Sequence, residues 1–61
     1  MNRIRKIRLE KGISVRYISY ITKISSSYIY LLEMNKRQNP SLYIMKSIAE
    51  ALEEPITKVF F

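Results

Sequence analysis

The twenty residues from Ser14 to Glu33 constrain this chain more than any others. They read Ser-Val-Arg-Tyr-Ile-Ser-Tyr-Ile-Thr-Lys-Ile-Ser-Ser-Ser-Tyr-Ile-Tyr-Leu-Leu-Glu. Apolar residues recur at helical intervals on both sides of Thr22-Lys23-Ile24. That pattern predicts two short helices joined by a tight turn, over about 15–21 and 26–33. Ser14 and Ser25 stand just ahead of the two runs, where a hydroxyl accepts an otherwise orphaned backbone N–H. Tyr17, Ile18 and Ile21 fall at helical spacing on the first helix. Ile29 and Leu32 sit one turn apart on the inner face of the second, so Ser26, Ser27, Tyr30 and Leu31 point elsewhere. The middle of such a turn often needs positive φ, where glycine is easiest. A lysine held there costs about 1 kcal/mol. Ile24 should fill the space between the two helices.

The flanking segments read as support. Residues 2–11 predict a first helix, with Asn2 as its N-cap, Ile4 and Ile7 three apart, and Leu9 and Lys11 extending the run. Gly12 is the only glycine. It follows the last periodic residue and suits the left-handed position that ends a helix. Ile13 then turns into the core. After the central pair, Asn35 can close the helix ending near Met34, because asparagine tolerates the left-handed conformation. Lys36 to Pro40 is a polar, basic loop. Ser41 caps a fourth helix over about 42–52, in which Leu42, Met45, Ile48, Ala49 and Leu52 make one buried stripe. Pro55 is tolerated in a first turn, so a short last helix covers about 55–60. The expected fold is all-α with five helices in one domain, 1–61.

Sixty-one residues bury only roughly 60% of their unfolded surface, so the core is marginal. There is no cysteine and no histidine. Disulfides, Cys- or His-ligated metals and histidine general bases are therefore excluded, and packing must supply the stability. A 48% hydrophobic content makes that feasible. With five glutamates, no aspartate and no paired constellation, an enzyme is not expected, and neither is a metal or a cofactor. No apolar run approaches the roughly 18 residues of a membrane span, and the basic N-terminus lacks the apolar stretch of a signal peptide. The expectation is a soluble cytoplasmic protein.

The net charge is +6, unevenly placed. Residues 1–40 carry nine basic groups against Glu10 and Glu33, whereas residues 41–61 carry two basic groups against three glutamates. Such asymmetry favours a polyanion on one side, although solvated surface charge gives the same count. Together with the central helix pair, it points to a helix-turn-helix that reads duplex DNA.

In its residues the chain resembles the Cro and XRE-type family of phage-repressor helix-turn-helix domains, over about Ile4 to Phe60. The opening pattern appears as Ile4, Ile7, Arg8, Gly12, Ile13 and Ser14, and the turn signature as Ile24, Ser25, Ile29, Leu32 and Glu33. Pro40-Ser41-Leu42 opens the fourth helix, and Ile48-Ala49-Glu50-Ala51-Leu52 matches its interior. No single piece is specific, but their joint order and spacing are. There are departures. Val15 stands where the family usually has Gln, Ser19 where it has Ala, Lys23 and Asn35 where it has Gly, and Glu53-Glu54 where it has a Gly-Val pair. The resemblance implies that Arg8 and Glu33 pair, locking the reading helix against the first.

In this reading the start of the helix over 26–33 enters the major groove. Ser26, Ser27, Tyr30 and Leu31 are then the base-edge candidates, although serines at a helix start also serve as caps, and Tyr28 and Tyr30 can pack on neighbours. Serine hydroxyls discriminate weakly and leucine makes only apolar contact, for instance with a thymine methyl. No Arg, Asn or Gln lies in this helix to grip a base with two hydrogen bonds, so DNA shape should weigh heavily. Ser14, Arg16, Ser25, Asn35, Lys36 and Arg37 are the backbone candidates, with Lys11 and Lys23 behind them; helix starts at Ser14 and Ser25 add N–H donors. The partner expected is double-stranded DNA, bound by a homodimer on a palindromic site. Ile56, Val59, Phe60 and Phe61 supply the leftover apolar surface for a dimer contact, unless they close the core. A repressor of phage, plasmid or mobile-element type fits best, whether alone or as the reading part of a longer protein. Two competing readings remain. One is an antitoxin-like module that binds protein through the same fold. The other, a basic amphipathic peptide on membranes, predicts one long helix that Gly12, Pro40 and Pro55 interrupt.

Overall fold

The computed structural model describes residues 2–61 and folds them into five helices. In chain order these are α1 (Ile4–Lys11), α2 (Val15–Thr22), α3 (Ser26–Glu33), α4 (Leu42–Leu52) and α5 (Ile56–Phe60). No strand occurs among the described residues. The longest helix, α4, has 11 residues, and no helix among the described residues is long and apolar enough to cross a membrane.

Three helices open on a serine whose Oγ accepts a backbone N–H. Ser14 accepts from Tyr17 at 2.9 Å, Ser25 from Tyr28 at 3.1 Å, and Ser41 from Ile44 at 3.2 Å. Each bond satisfies one of the N–H groups that a helix start leaves unpaired. The first helix begins differently from the expectation. It starts at Ile4 rather than residue 2, and Arg3 occupies the cap position without a side-chain bond. Asn2 contributes from one place earlier: its Oδ1 accepts the Ile4 N–H at 3.1 Å. Pro55 likewise stands just before α5 rather than inside its first turn.

The ends of α1, α3 and α4 share one geometry. Gly12 (φ 69) closes α1, with its N–H donating to the Leu9 carbonyl and the Ile13 N–H to that of Arg8. Beyond Met34, Asn35 (φ 58) repeats the pattern on Leu32 and Leu31, and Glu53 (φ 57) repeats it on Glu50 and Ala49. This paired arrangement caps the last free carbonyls of each helix. Lys23 (φ 65) ends α2 with a single bond to Ser19.

Ile4, Ile7, Val15, Ile18, Ile29, Leu32, Ile48, Ala49, Ala51, Leu52 and Val59 form the core, with Ile13 and Ile24 packed at its edge. α2 packs against both α3 and α4, while α5 bridges α4 and α1. Several periodic apolar positions lie outside it, among them Leu42, expected in the buried stripe of α4. Leu9, Tyr17, Ile21 and Leu42 are all exposed, Leu42 by 62%. In α1 the place one turn from Ile4 goes to Arg8, which turns Leu9 outward. In α2 the buried side is Val15 and Ile18, and in α4 the stripe shifts to Ile48, Ala49, Ala51 and Leu52, leaving Met45 half-buried.

Candidate nucleic-acid interface

The turn between α2 and α3 is built by hydroxyls as well as apolar packing. Thr22 Oγ1 donates to the Ile18 carbonyl at 2.7 Å and accepts the Ile24 N–H at 3.2 Å. Ser19 Oγ donates to the Ile24 carbonyl at 2.6 Å. A serine where the family has alanine is thus half-buried but satisfied, and it fixes the exit of the turn. These bonds set the angle at which α3 leaves α2.

α3 buries Ile29 and Leu32 and turns its other side outward. Ser27 and Tyr30 are exposed, whereas Ser26 and Leu31 are half-buried. The tip of this helix is therefore open to solvent. Ser14 and Ser25 are exposed too, and their hydroxyls already cap α2 and α3. A capping serine oxygen still has its O–H to donate to a phosphate. Arg16, Lys36 and Arg37 are exposed and take no part in an ion pair among the described residues. Asn35 is half-buried and uses its backbone to end α3. Lys23 lies 5.0 Å from the Tyr20 ring, and Arg37 lies 5.0 Å from the Tyr28 ring.

Two features hold α3 in place from behind. Arg8 Nε donates to Glu33 Oε2 at 2.8 Å and Nη2 to Oε1 at 3.2 Å, a two-pronged pair whose Glu33 side is 1% exposed. Arg8 Nη1 also donates to the Ile13 carbonyl at 3.2 Å. Hydrogen bonding to Glu33 raises the Arg8 pKa above its ordinary value, outweighing the opposing effect of burial. The second tie is Asn2, whose Nδ2 donates to the Leu32 carbonyl at 2.9 Å. Sequence reasoning did not find that bond, since nothing in local spacing links residues thirty apart.

Other candidates are placed elsewhere. Lys11 Nζ donates to the Leu52 carbonyl at 2.7 Å and pairs with Glu54 at 2.9 Å, so it serves the end of α4. Lys58 reaches the same carboxylate at 3.3 Å. Glu54 replaces an apolar residue of the family pattern and joins the two lysines. Val15, where the family carries Gln, is 3% exposed and belongs to the core, so α2 begins without that polar side chain. Among the residues expected at a dimer contact, Val59 is fully buried within the chain. Ile56 and Phe60 pack partly on the core, and Phe61 is 74% exposed. Phe60 and Phe61 line an open groove with Pro40 and Met45.

A two-helix unit with an open α3 tip, braced from behind, defines a class. A family model described as "Helix-turn-helix domain" matches residues 1–60, and the chain belongs to that family. The match agrees with the Cro and XRE-type resemblance read from the sequence. The chain is also similar to a protein named "HTH-type transcriptional regulator SlrR" from Bacillus subtilis (strain 168), at 32% identity over 57 residues. The aligned region covers 93% of this chain and 38% of that relative, so the chain spans well under half of the relative's length.

Proposed function

We propose that this chain is the DNA-reading domain of a transcriptional regulator. The solvent-open start of α3, braced by Arg8–Glu33 and flanked by exposed Arg16, Lys36 and Arg37, carries the reading. Phosphate contacts supply affinity and register, and base edges supply choice. Ser26, Ser27, Tyr30 and Leu31 are the base-side residues. Ser14, Arg16, Ser25, Asn35, Lys36 and Arg37 are the backbone side. Since no side chain of α3 can grip a base with two hydrogen bonds, direct readout is modest and DNA shape does more of the sorting.

The domain acts as a repressor and as a dimer on two half-sites roughly 34 Å apart, which multiplies the weak affinity of one small module. Phe61 and the groove beside Phe60 are its contact surface. A DNA reader works where the chromosome is, so we place it in the cytoplasm.

Selecting bound sequences from random duplex DNA tests the reading. Enrichment of a two-fold symmetric motif is expected; recovery of an unenriched pool contradicts sequence-specific reading. A salt titration separates DNA from protein as the partner. Duplex affinity should fall steeply with salt as counterions rebind, with a log–log slope of about −3 per bound domain, and so about −5 for the dimer, if Arg16, Lys36 and Arg37 each meet one phosphate.

A further inference from the structure

Among the cations assigned to the DNA backbone, Arg37 is held through both its backbone and its side chain. Its N–H donates to the Leu31 carbonyl at 3.2 Å, which ties the loop to the last turn of α3. Its guanidinium carbon lies 5.0 Å from the centroid of the Tyr28 ring. Tyr28 is itself fixed. Its N–H is capped by Ser25, and its ring is half-buried against the core. The pair thus joins the first turn of α3 to the loop that follows that helix. The Lys23 contact is different in kind, because Tyr20 lies one turn earlier and is 72% exposed.

We propose that Tyr28 is a positioning residue for DNA binding, holding the Arg37 guanidinium beside the first turn of α3 so that it meets a backbone phosphate already ordered. The proposal rests on the DNA-reading function above. A guanidinium resting on an aromatic ring keeps its N–H edge available, and that edge is what grips a phosphate. A loose arginine loses side-chain freedom when it binds, whereas one already held loses less. Tyr28 therefore contributes affinity without touching DNA, and only through Arg37.

The test measures binding of the whole chain to a labelled duplex of mixed sequence across a range of salt. Arg37→Gln should reduce the slope of log affinity against log salt by about 0.9 per bound domain, since each domain loses one phosphate contact. Tyr28→Leu should weaken binding about two- to fivefold while keeping the wild-type slope, because the charge remains. Tyr28→Phe should bind like wild type. In an Arg37→Gln background, Tyr28→Leu should cause no further loss. The proposal is overturned if Tyr28→Leu binds normally, if its loss is equal with and without Arg37, or if Tyr28→Phe is as weak as Tyr28→Leu. Should Tyr28→Leu fail to fold, ring-current shifts on the Arg37 side-chain protons decide instead. They should be present in wild type and in Tyr28→Phe, and their absence overturns the pairing. A wild-type affinity indifferent to salt removes the DNA reading itself, and the proposal with it.

Discussion

Arg8 shows how a charge can sit where spacing asks for a hydrophobe. It occupies the turn after Ile4 and is 9% exposed, and its partner Glu33 is 25 residues away. A buried pair of this kind is costly to break, because one charge is left without its partner. Arg8→Met or Glu33→Gln alone should destabilise the domain by about 3–5 kcal/mol in urea unfolding. The double variant should cost less than the sum, and a coupling energy of zero contradicts the pairing. Glu54 offers a pH test at the same scale. Hydrogen bonds from Lys11 and then Lys58 hold its carboxyl below the ordinary value of 4.5. Its contribution to stability is therefore complete above that value and is lost as pH falls through the lower folded value. Melting temperatures taken down an acid series should drop less for Glu54→Gln than for wild type, and equal drops contradict the linkage.

At the scale of the element, the left-handed positions are the most informative. Gly12 has nothing within 4 Å of where a Cβ would stand, so Gly12→Ala is limited by backbone strain alone and should cost about 1 kcal/mol. Lys23 and Glu53 occupy the same region without glycine's freedom. Lys23→Gly and Glu53→Gly should each gain about 0.5–1 kcal/mol by thermal melting, and Asn35→Gly less, since asparagine tolerates this conformation. If Asn35→Gly gains the most, strain is not the cause. The helices were legible in the sequence wherever their causes are local. Ser14, Ser25 and Ser41 mark three starts through bonds spanning three residues. The expected bounds of α3 and α4 agree with those observed for the same reason. Faces were harder. Leu9, Tyr17, Ile21 and Leu42 are apolar, periodic and exposed, because which side of a helix is covered depends on its neighbours. The same limit hid the work of Lys11 on α4, a contact across 41 residues. Within the candidate interface, residue types and their order were legible. The Tyr28–Arg37 contact and the Asn2 tie were not, since both are set by how helices meet.

On the scale of the whole molecule, the described residues form a body of 25 × 22 × 19 Å. Arg3, Arg8, Lys11 and Lys58 are occupied within the chain, so the positive excess available to a partner falls on other cations, including Arg16, Lys36 and Arg37. Self-association through Phe61 predicts a mass that rises with concentration in analytical ultracentrifugation, and Phe61→Ser should abolish the rise. A mass unchanged at high concentration contradicts the dimer. The backbone also returns on itself. Arg3 donates its N–H to the Val59 carbonyl at 2.8 Å, and its guanidinium donates to that of Lys58 at 3.0 Å. Residue 3 therefore lies beside residues 58 and 59, so a flexible linker between the first and last described residues could close the chain into a ring without moving any helix. Such a circular form would lose freedom mainly when unfolded, where an open chain has most of it to lose. A laboratory seeking a hardier version of this domain could begin there.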